Sequence, residues 1–322
     1  MRALITGIGG FVGRHLARHL LAQPNVTVHG TTYLPVERHT ELAEMGVRLV
    51  QADLTDEATV ERALNESAPD HIYHLAAQSF VPVSFENPWE TLSNNIRAQL
   101  NVLHALAQAG GQAVRVLVVG SAQEYGPVEP EAVPVDESQP LRPTSPYSVS
   151  KVTQDMLGLQ YFLTYNLHVV RVRPFNHIGP GQDKRFVAAD FASQVAAIEA
   201  GLNEPVMWVG NLAPKRDFTD VRDVVRAYHL LLDKGQPGEV YNIGSGQARS
   251  IQQLLDTLLD LTDAPIEVQV DPARVRPMSV PIVACDASKL RRETDWQPEY
   301  SFEDTLAAIL DDWRERVRVA ES

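Results

Sequence analysis

The first thirteen residues constrain this chain more tightly than any other stretch. A short apolar run over residues 3–6 leads directly into Thr6-Gly7-Ile8-Gly9-Gly10-Phe11-Val12-Gly13, and amphipathic sequence comes next. Glycines at 7, 10 and 13 suit a tight turn, close approach of backbone to a ligand, and close packing of a helix on a strand. The free N–H groups at such a helix start carry partial positive charge and face an anion well. Gly7, Gly10 and Gly13 therefore predict a dinucleotide pyrophosphate site between a first strand and a first helix.

The rest of the first half supplies the sheet that such a turn needs. Runs rich in Val, Ile and Leu recur at residues 26–31, 48–51, 71–75, 115–119 and 168–173. They show little alternation, as strands buried on both faces do. Helical patterns lie between them, at 56–65, 88–108 and 146–165. Strand and helix in alternation predict an α/β fold with a doubly wound parallel sheet. After Pro174 the character changes. Turn residues cluster at Gly179-Pro180-Gly181, Gly235-Gln236-Pro237-Gly238 and Gly244-Ser245-Gly246. Strands are expected at 205–209, 240–243 and 266–270, and helices at 188–201, 221–232, 251–262 and 302–316. We expect a dinucleotide-binding domain over 1–174 and a smaller α/β substrate domain over 175–322, with some segments crossing between the lobes.

The second strand ends His29-Gly30-Thr31-Thr32-Tyr33, without the acidic residue that reads a ribose 2′-hydroxyl. Arg38, a little downstream, suits a 2′-phosphate or is a solvated surface residue. This favours NADP(H), with NAD(H) as the alternative. Asp53-Leu54 comes after the third strand, where an adenine contact sits. Leu75-Ala76-Ala77-Gln78 comes after the fourth, and its small residues admit close approach of a cofactor.

A second motif is Tyr147-Ser148-Val149-Ser150-Lys151. Residues four apart on a helix share a face, so an ammonium there favours the ionised form of the phenol. Without such help, a phenol with a pKa near about 10 is a poor proton donor or acceptor at neutral pH. The fifth strand ends Val118-Val119-Gly120-Ser121. Ligands of open α/β sheets bind at the carboxyl ends of the strands, so Ser121 is a candidate to hydrogen-bond the oxygen that Tyr147 protonates.

Together, the glycine motif, residues 75–78, Ser121 and the Tyr147/Lys151 pair resemble the extended short-chain dehydrogenase/reductase family across essentially the whole chain. That family implies a Rossmann sheet, a nicotinamide cofactor and a nucleotide-sugar substrate. The resemblance adds Phe11, Val12 and Thr32 to the expected cofactor contacts, with Tyr147 and Lys151 themselves. Arg173-Pro174-Phe175-Asn176-His177-Ile178-Gly179-Pro180-Gly181-Gln182 is similar to the branch holding GDP-mannose dehydratases and GDP-6-deoxy-4-keto-mannose reductases. It implies that Asn176 contacts the sugar diphosphate. His177 is either a cofactor contact or a satisfied structural histidine. Lys215-Arg216-Asp217-Phe218-Thr219-Asp220 resembles another motif of the branch. Arg216 there, with Arg276 in Arg274-Val275-Arg276-Pro277, implies a grip on the diphosphate, since guanidinium suits bidentate contact with phosphate. The resemblance further implies substrate contacts from Gln123 and Val187. Relatives often carry a glutamate near Ser279 for the nucleotide ribose, and serine departs from that pattern.

The chemistry turns on the residues just past Ser121. Dehydratases of the branch carry a glutamate shortly after the equivalent hydroxyl, but here Ala122 and Gln123 come next. Neither can donate or accept a proton in acid–base catalysis. Glu124 is one residue late: in an extended strand end it would face the other side, and a bend in the backbone there would still let it reach in. The expectation is an oxidoreductase that reduces the carbon-4 ketone of GDP-4-keto-6-deoxy-mannose to GDP-rhamnose. A GDP-mannose 4,6-dehydratase or a 4-epimerase is the alternative, and a non-catalytic NADP-binding redox sensor is a second. No metal ligands are singled out.

The net charge of −13 argues against nucleic acid or an anionic membrane as partner. The single cysteine, Cys285, fits a cytoplasmic protein. No apolar run approaches the ~20 residues needed to span a bilayer. Relatives of the family often dimerise through two helices per subunit, expected here around 88–108 and 146–165.

Overall fold

The computed structural model describes residues 1–275 and 280–321. In chain order the strands are β1 (Arg2–Thr6), β2 (Thr27–Thr32), β3 (Arg48–Gln51), β4 (His71–His74), β5 (Arg115–Val119), β6 (His168–Pro174), β7 (Asn176–Ile178), β8 (Val206–Val209), β9 (Lys215–Asp220), β10 (Val240–Ile243), β11 (Ala248–Ser250) and β12 (Glu267–Val270). The helices are α1 (Phe11–Leu21), α2 (Thr40–Glu44), α3 (Glu57–Ser67), α4 (Val81–Glu86), α5 (Pro88–Gln108), α6 (Pro146–Tyr165), α7 (Val187–Glu199), α8 (Val221–Lys234), α9 (Ile251–Leu259), α10 (Ser288–Thr294) and α11 (Phe302–Glu321).

Seven strands form one sheet in the order β10-β6-β5-β4-β1-β2-β3, and every pairing in it is parallel. The order reverses between β1 and β4, which opens a crevice at the carboxyl ends of those strands. One face packs Leu16, Ala17 and Leu20 of α1 and Val224, Tyr228 and Leu231 of α8 against Ile5, Tyr73 and Leu117. The other buries Val60 of α3, Val102 and Leu106 of α5, and Tyr161 of α6 against Leu4, Ile72 and Val116. Burying apolar area on both faces, at roughly 25 cal/mol per Å², is why these strands show no alternation.

Residues beyond 174 return to this sheet: β10 pairs with β6, and α8 packs on α1. The smaller lobe has its own core, with Phe191 and Val195 of α7, Leu254 and Leu258 of α9, and Leu306 and Ile309 of α11 around Met207 and Val209 of β8. It carries a three-stranded sheet, β11-β9-β7, and a two-stranded one, β12-β8.

Local sequence sets the element ends that matter for the site. Ser145 caps α6 through Ser148 in a reciprocal pair of bonds, Pro146 opens the helix, and left-handed Asn166 closes it. Asp220 caps α8 by accepting from Arg222 N–H at 2.7 Å. β4 stops at His74, one residue earlier than the apolar run. The Thr6 hydroxyl takes the next two amides, Leu75 N–H at 3.1 Å and Ala76 N–H at 3.2 Å, and so turns the chain out of the ladder.

Candidate active site

Four strand ends meet along the carboxyl edge of the large sheet. β1 delivers the glycine turn, β4 delivers residues 75–78, β5 delivers Ser121, and β6 leads into Asn176 and His177. Gly7 has φ +67°, and a Cβ there would lie 2.9 Å from the Ala76 Cα, so only glycine fits between the two loops. α1 begins at Gly10 without a side-chain cap and without an acidic residue in its first turn. Its first N–H groups are therefore left for a ligand, as an anion-binding helix start requires. Beside it a cleft of about 570 Å³ gathers Gly7, Asp53, Leu54, Ala76, Ala77 and Gln78, with Tyr33 and Thr91. A glycine turn at an uncapped helix start next to a cleft lined by Asp53 and Leu54 is an arrangement that suits a dinucleotide.

Other expected cofactor residues sit at its margins. Phe11 stacks on the His177 ring with centroids 6.2 Å apart, so the glycine turn and the segment after β6 touch directly. Val12 packs against the core of the large sheet. The Thr32 hydroxyl donates to Leu34 O at 2.7 Å, and Thr31 rather than Thr32 lines the cleft. Arg38 is exposed in the short turn after β2, outside that lining. The neighbouring His39 instead covers Gly9, where a Cβ would meet its ring at 2.7 Å.

Tyr147 and Lys151 lie one turn apart at the start of α6, both buried. Burial pushes the Tyr147 phenol up to about 12, while the facing Ser121 side chain pulls it down. Burial also brings Lys151 down to about 8. Its ammonium donates to Val119 O at 2.9 Å and lies 5.9 Å from the Tyr147 ring centroid. The lysine is thus anchored to the end of β5 beside the phenol, rather than bonded to it.

The chain does not stay extended after β5. It folds into a 3₁₀ turn over Ala122–Glu124, capped by the Ser121 side chain. Glu124 therefore does not face the opposite side of a strand. It turns back beneath Ser121, fully buried, and accepts the Ser121 N–H at 2.7 Å. Gln123 is exposed on the same turn. So the carboxylate is directed into the core, and the amide is left at the surface.

The sequence reading missed Asn95 of α5. Fully buried, it accepts from Gln78 N–H at 2.8 Å and donates to Gln78 O at 3.1 Å and to the Ser150 hydroxyl at 3.0 Å. Ser150 in turn donates to Tyr147 O at 2.6 Å. One asparagine thereby ties the loop after β4 to the start of α6. The only signal was a row of polar residues, Thr91, Asn95 and Gln99, on the buried face of a helix.

In the smaller lobe, Asn176 is exposed on β7 and pairs in register with Phe218 of β9. Arg216 lies two residues earlier on β9, half-buried, with Nη1 donating to Lys215 O at 2.7 Å and Val280 O at 2.8 Å. Val187 opens α7, half-buried. Arg276 and Ser279 lie outside the described residues. Among the described residues no group of three or more His, Cys, Asp or Glu is arranged to hold a metal ion, and no helix is long and apolar enough to cross a membrane.

Comparison with known proteins matches residues 4–309 to the family model described as GDP-mannose 4,6 dehydratase. A GDP-6-deoxy-D-mannose reductase of Pseudomonas aeruginosa is 38% identical over 317 residues, covering 98% of each chain. A GDP-mannose 4,6-dehydratase of Vibrio cholerae is 29% identical, covering 96% of this chain and 92% of its own. Among solved structures, RMD from Pseudomonas aeruginosa complexed with NADPH superposes with a TM-score of 0.87 at 36% identity, covering 98% of this chain and all of that one. UDP-glucose 4-epimerase of Thermotoga maritima with UDP-glucose gives 0.88 at 27% identity over the same shares.

Proposed function

This chain belongs to the GDP-mannose 4,6-dehydratase family of extended short-chain dehydrogenases/reductases, and on that premise we propose that it reduces the carbon-4 ketone of GDP-4-keto-6-deoxy-mannose to GDP-rhamnose with NADPH. The observation that carries this reading is the pairing of a complete Ser121/Tyr147/Lys151 set with the absence of an exposed carboxylate in the turn over Ala122–Glu124. Dehydration needs a group to move protons at the sugar carbons. Gln123 cannot, and Glu124 is buried away under Ser121.

The chain's residues then have simple work to do. Gly7, Gly10 and the open N-terminus of α1 hold the cofactor phosphates, Asp53 and Leu54 face the adenosine, and Ala76–Gln78 flank its course. Bound NADPH supplies the hydride. Ser121 and Tyr147 donate hydrogen bonds to the ketone oxygen. As the alkoxide develops, Tyr147 gives it the phenolic proton, so one hydride and one proton complete the alcohol. Lys151, charged and fixed to Val119 O, stabilises the phenolate left behind. Asn176, Val187, Gln123, Arg216 and Arg276 surround the nucleotide sugar, with the two arginines on the diphosphate. Arg38 is the candidate for the 2′-phosphate, and the similarity to RMD solved with NADPH supports NADP(H) over NAD(H).

The protein acts as a cytoplasmic homodimer in this reading. Val149, Met156 and Leu163 recur seven residues apart along α6, all exposed, and Trp89 and Leu100 are exposed on the adjoining α5. An apolar stripe at that spacing suits helix packing across a two-fold axis.

The test is loss of reduced cofactor on mixing the protein with GDP-4-keto-6-deoxy-mannose and NADPH, with GDP-mannose alone as control. Consumption that vanishes in Tyr147→Phe supports the proposal. A keto sugar formed from GDP-mannose without reductant would replace it with a dehydratase. NADPH binding with no turnover, unchanged by Tyr147→Phe, would point to a sensor.

A further inference from the structure

Beneath the turn after β5 lies a network of buried charge that hydride and proton transfer leave unused. Glu124 is fully buried, with Oε1 on the Ser121 amide at 2.7 Å and Oε2 3.2 Å from Arg173 Nε. A Cβ on Gly120 would collide with Glu124 Oε1, so the carboxylate lies directly against the backbone just before Ser121, where only glycine leaves it room. Arg173 of β6 also donates to Asp155 of α6, through Nε at 3.0 Å, and to the Tyr125 hydroxyl at 3.1 Å. Arg171 donates to the second oxygen of Asp155 at 2.8 Å. Lys151 of α6 holds Val119 O at 2.9 Å, two residues before the amide that Glu124 holds, so the two charges share one strand end; the Glu124 charge is felt at both Lys151 and Tyr147, and that of Lys151 at His74 of β4. The groups around Glu124 are thus Arg173, Asp155, Lys151 and Tyr147, with Arg171, Tyr125 and His74 behind them.

We propose that Glu124 is a positioning residue for the reaction: it clamps the Ser121 amide, so that the Ser121 hydroxyl meets the substrate oxygen beside Tyr147, and it keeps Lys151 charged. The proposal rests on the reading of Ser121, Tyr147 and Lys151 as the catalytic set. The clamp is a matter of geometry, because the 3₁₀ turn that aims Ser121 is closed at both ends, by the Ser121 side chain on Gln123 N–H at 3.2 Å and by Glu124 on Ser121 N–H. The charge effect comes from competition. Burial, and then Asp155, hold the Glu124 carboxyl well above the usual carboxylate range. It therefore gains negative charge late, as pH rises toward the range where Lys151 would give up its own proton. Each ionisation favours the other, so a charged Glu124 postpones the loss of the Lys151 proton.

Two substitutions separate the two effects. Glu124→Gln keeps an oxygen for the Ser121 amide and removes the charge. Its alkaline limb of kcat is expected to move about one pH unit lower, with KM for the keto sugar unchanged. Glu124→Asp keeps the charge but is one methylene too short for the amide. Its kcat is expected to fall about tenfold, with the alkaline limb in place. Variants that lose thermal stability while kcat and the alkaline limb stay at wild-type values would overturn the proposal, since a purely structural glutamate predicts that result. If Glu124→Gln does not accumulate, Glu124→Asp decides alone: a tenfold loss in kcat supports the clamp, and a wild-type kcat rejects it. A wild-type protein silent toward the keto sugar counts against the reductase reading, not against Glu124. In that case NMR titration of the Lys151 side chain still tests the charge effect, and the same Lys151 pKa in wild type and Glu124→Gln would reject it.

Discussion

At the phenol of Tyr147, burial and hydrogen bonding oppose each other. Burial raises its pKa to about 12, which keeps the proton on the phenol at neutral pH, as a reductase acid requires. Lys151, brought down to about 8, is the group that titrates within the working range. Its charged form is the useful one, so activity is present below its pKa and lost as pH rises through about 8. We expect kcat/KM for reduction to fall on the alkaline side with a midpoint near that value, and a limb set far above it would contradict the assignment. Tyr147→Phe removes the proton donor and should lower kcat by about 10³-fold, within the usual range of general acid catalysis. Ser121→Ala removes one donor to the developing alkoxide and should lower kcat by about 10²-fold with the cofactor Kd unchanged. Steady-state rates alongside NADPH binding measured by fluorescence check both.

At the scale of elements, the glycine turn works only because two loops touch. Gly7→Ala adds a methyl within 2.9 Å of Ala76 on a backbone with φ +67°. We expect it to weaken NADPH binding at least about tenfold while the chain still folds, because the clash is confined to the crevice between β1 and β4. The same elements show how much of this molecule could be read in advance. The inner strands of the large sheet were plain because they are buried on both faces, and residues 48–51, 115–119 and 240–243 stand as read, although β3 at the sheet edge leaves Arg48 and Gln51 exposed. Helices α5 and α6 were equally plain, each opened by a proline. β7, β9 and β11 were not legible. Lys215–Asp220 reads as a charged loop, and its strand character comes from pairing with β7 and β11 far along the chain. Ser121, Tyr147, Lys151 and the glycines could be singled out as candidates because each motif sits in its required place in the order of strands and helices. Asn95 and Glu124 were not. Their roles depend on contacts across 55 residues, from Asn95 to Ser150, and on a 3₁₀ turn where an extended strand end was expected. The stripe on α6 belongs to this scale too. Leu163→Glu, at a position 67% exposed here, should convert a dimer to a monomer in sedimentation velocity without unfolding α6. An unchanged sedimentation coefficient would remove α6 from the interface.

For the whole molecule, acid should loosen the packing around the large sheet before it touches the smaller lobe. His19 of α1 and His229 of α8 meet at 3.1 Å between ring nitrogens, and His229 lies 3.4 Å from Asp233. His71 starts β4, and His74 ends it, bonded to Thr6 of β1 at 3.0 Å. Burial is the first cause of depression in each case, bringing His19 and His71 down to about 4 and His74 to about 3. Nearby positive groups add to it: His229 and Arg226 for His19, and Lys151 for His74. An unfolded histidine takes its proton near about 6.5, so between that value and about 4 the unfolded chain binds more protons than the folded one. Stability is therefore full above about 6.5 and is lost as pH falls toward 4. Glu124, Glu137, Asp190 and Asp217, all raised, act in the opposite sense, because the folded chain takes up their protons first. With His15, His29, His39, His168 and His177 also depressed, eight histidines stand against these four carboxyls and leave a net loss, and we expect Tm to be about 5–10 °C lower at pH 5 than at pH 7. His19→Asn should reduce that drop by removing one of the depressed groups where α1 meets α8. Scanning calorimetry of both proteins decides it. Equal drops in the two would take the His19–His229 contact out of the acid response and leave it to the buried ends of β4.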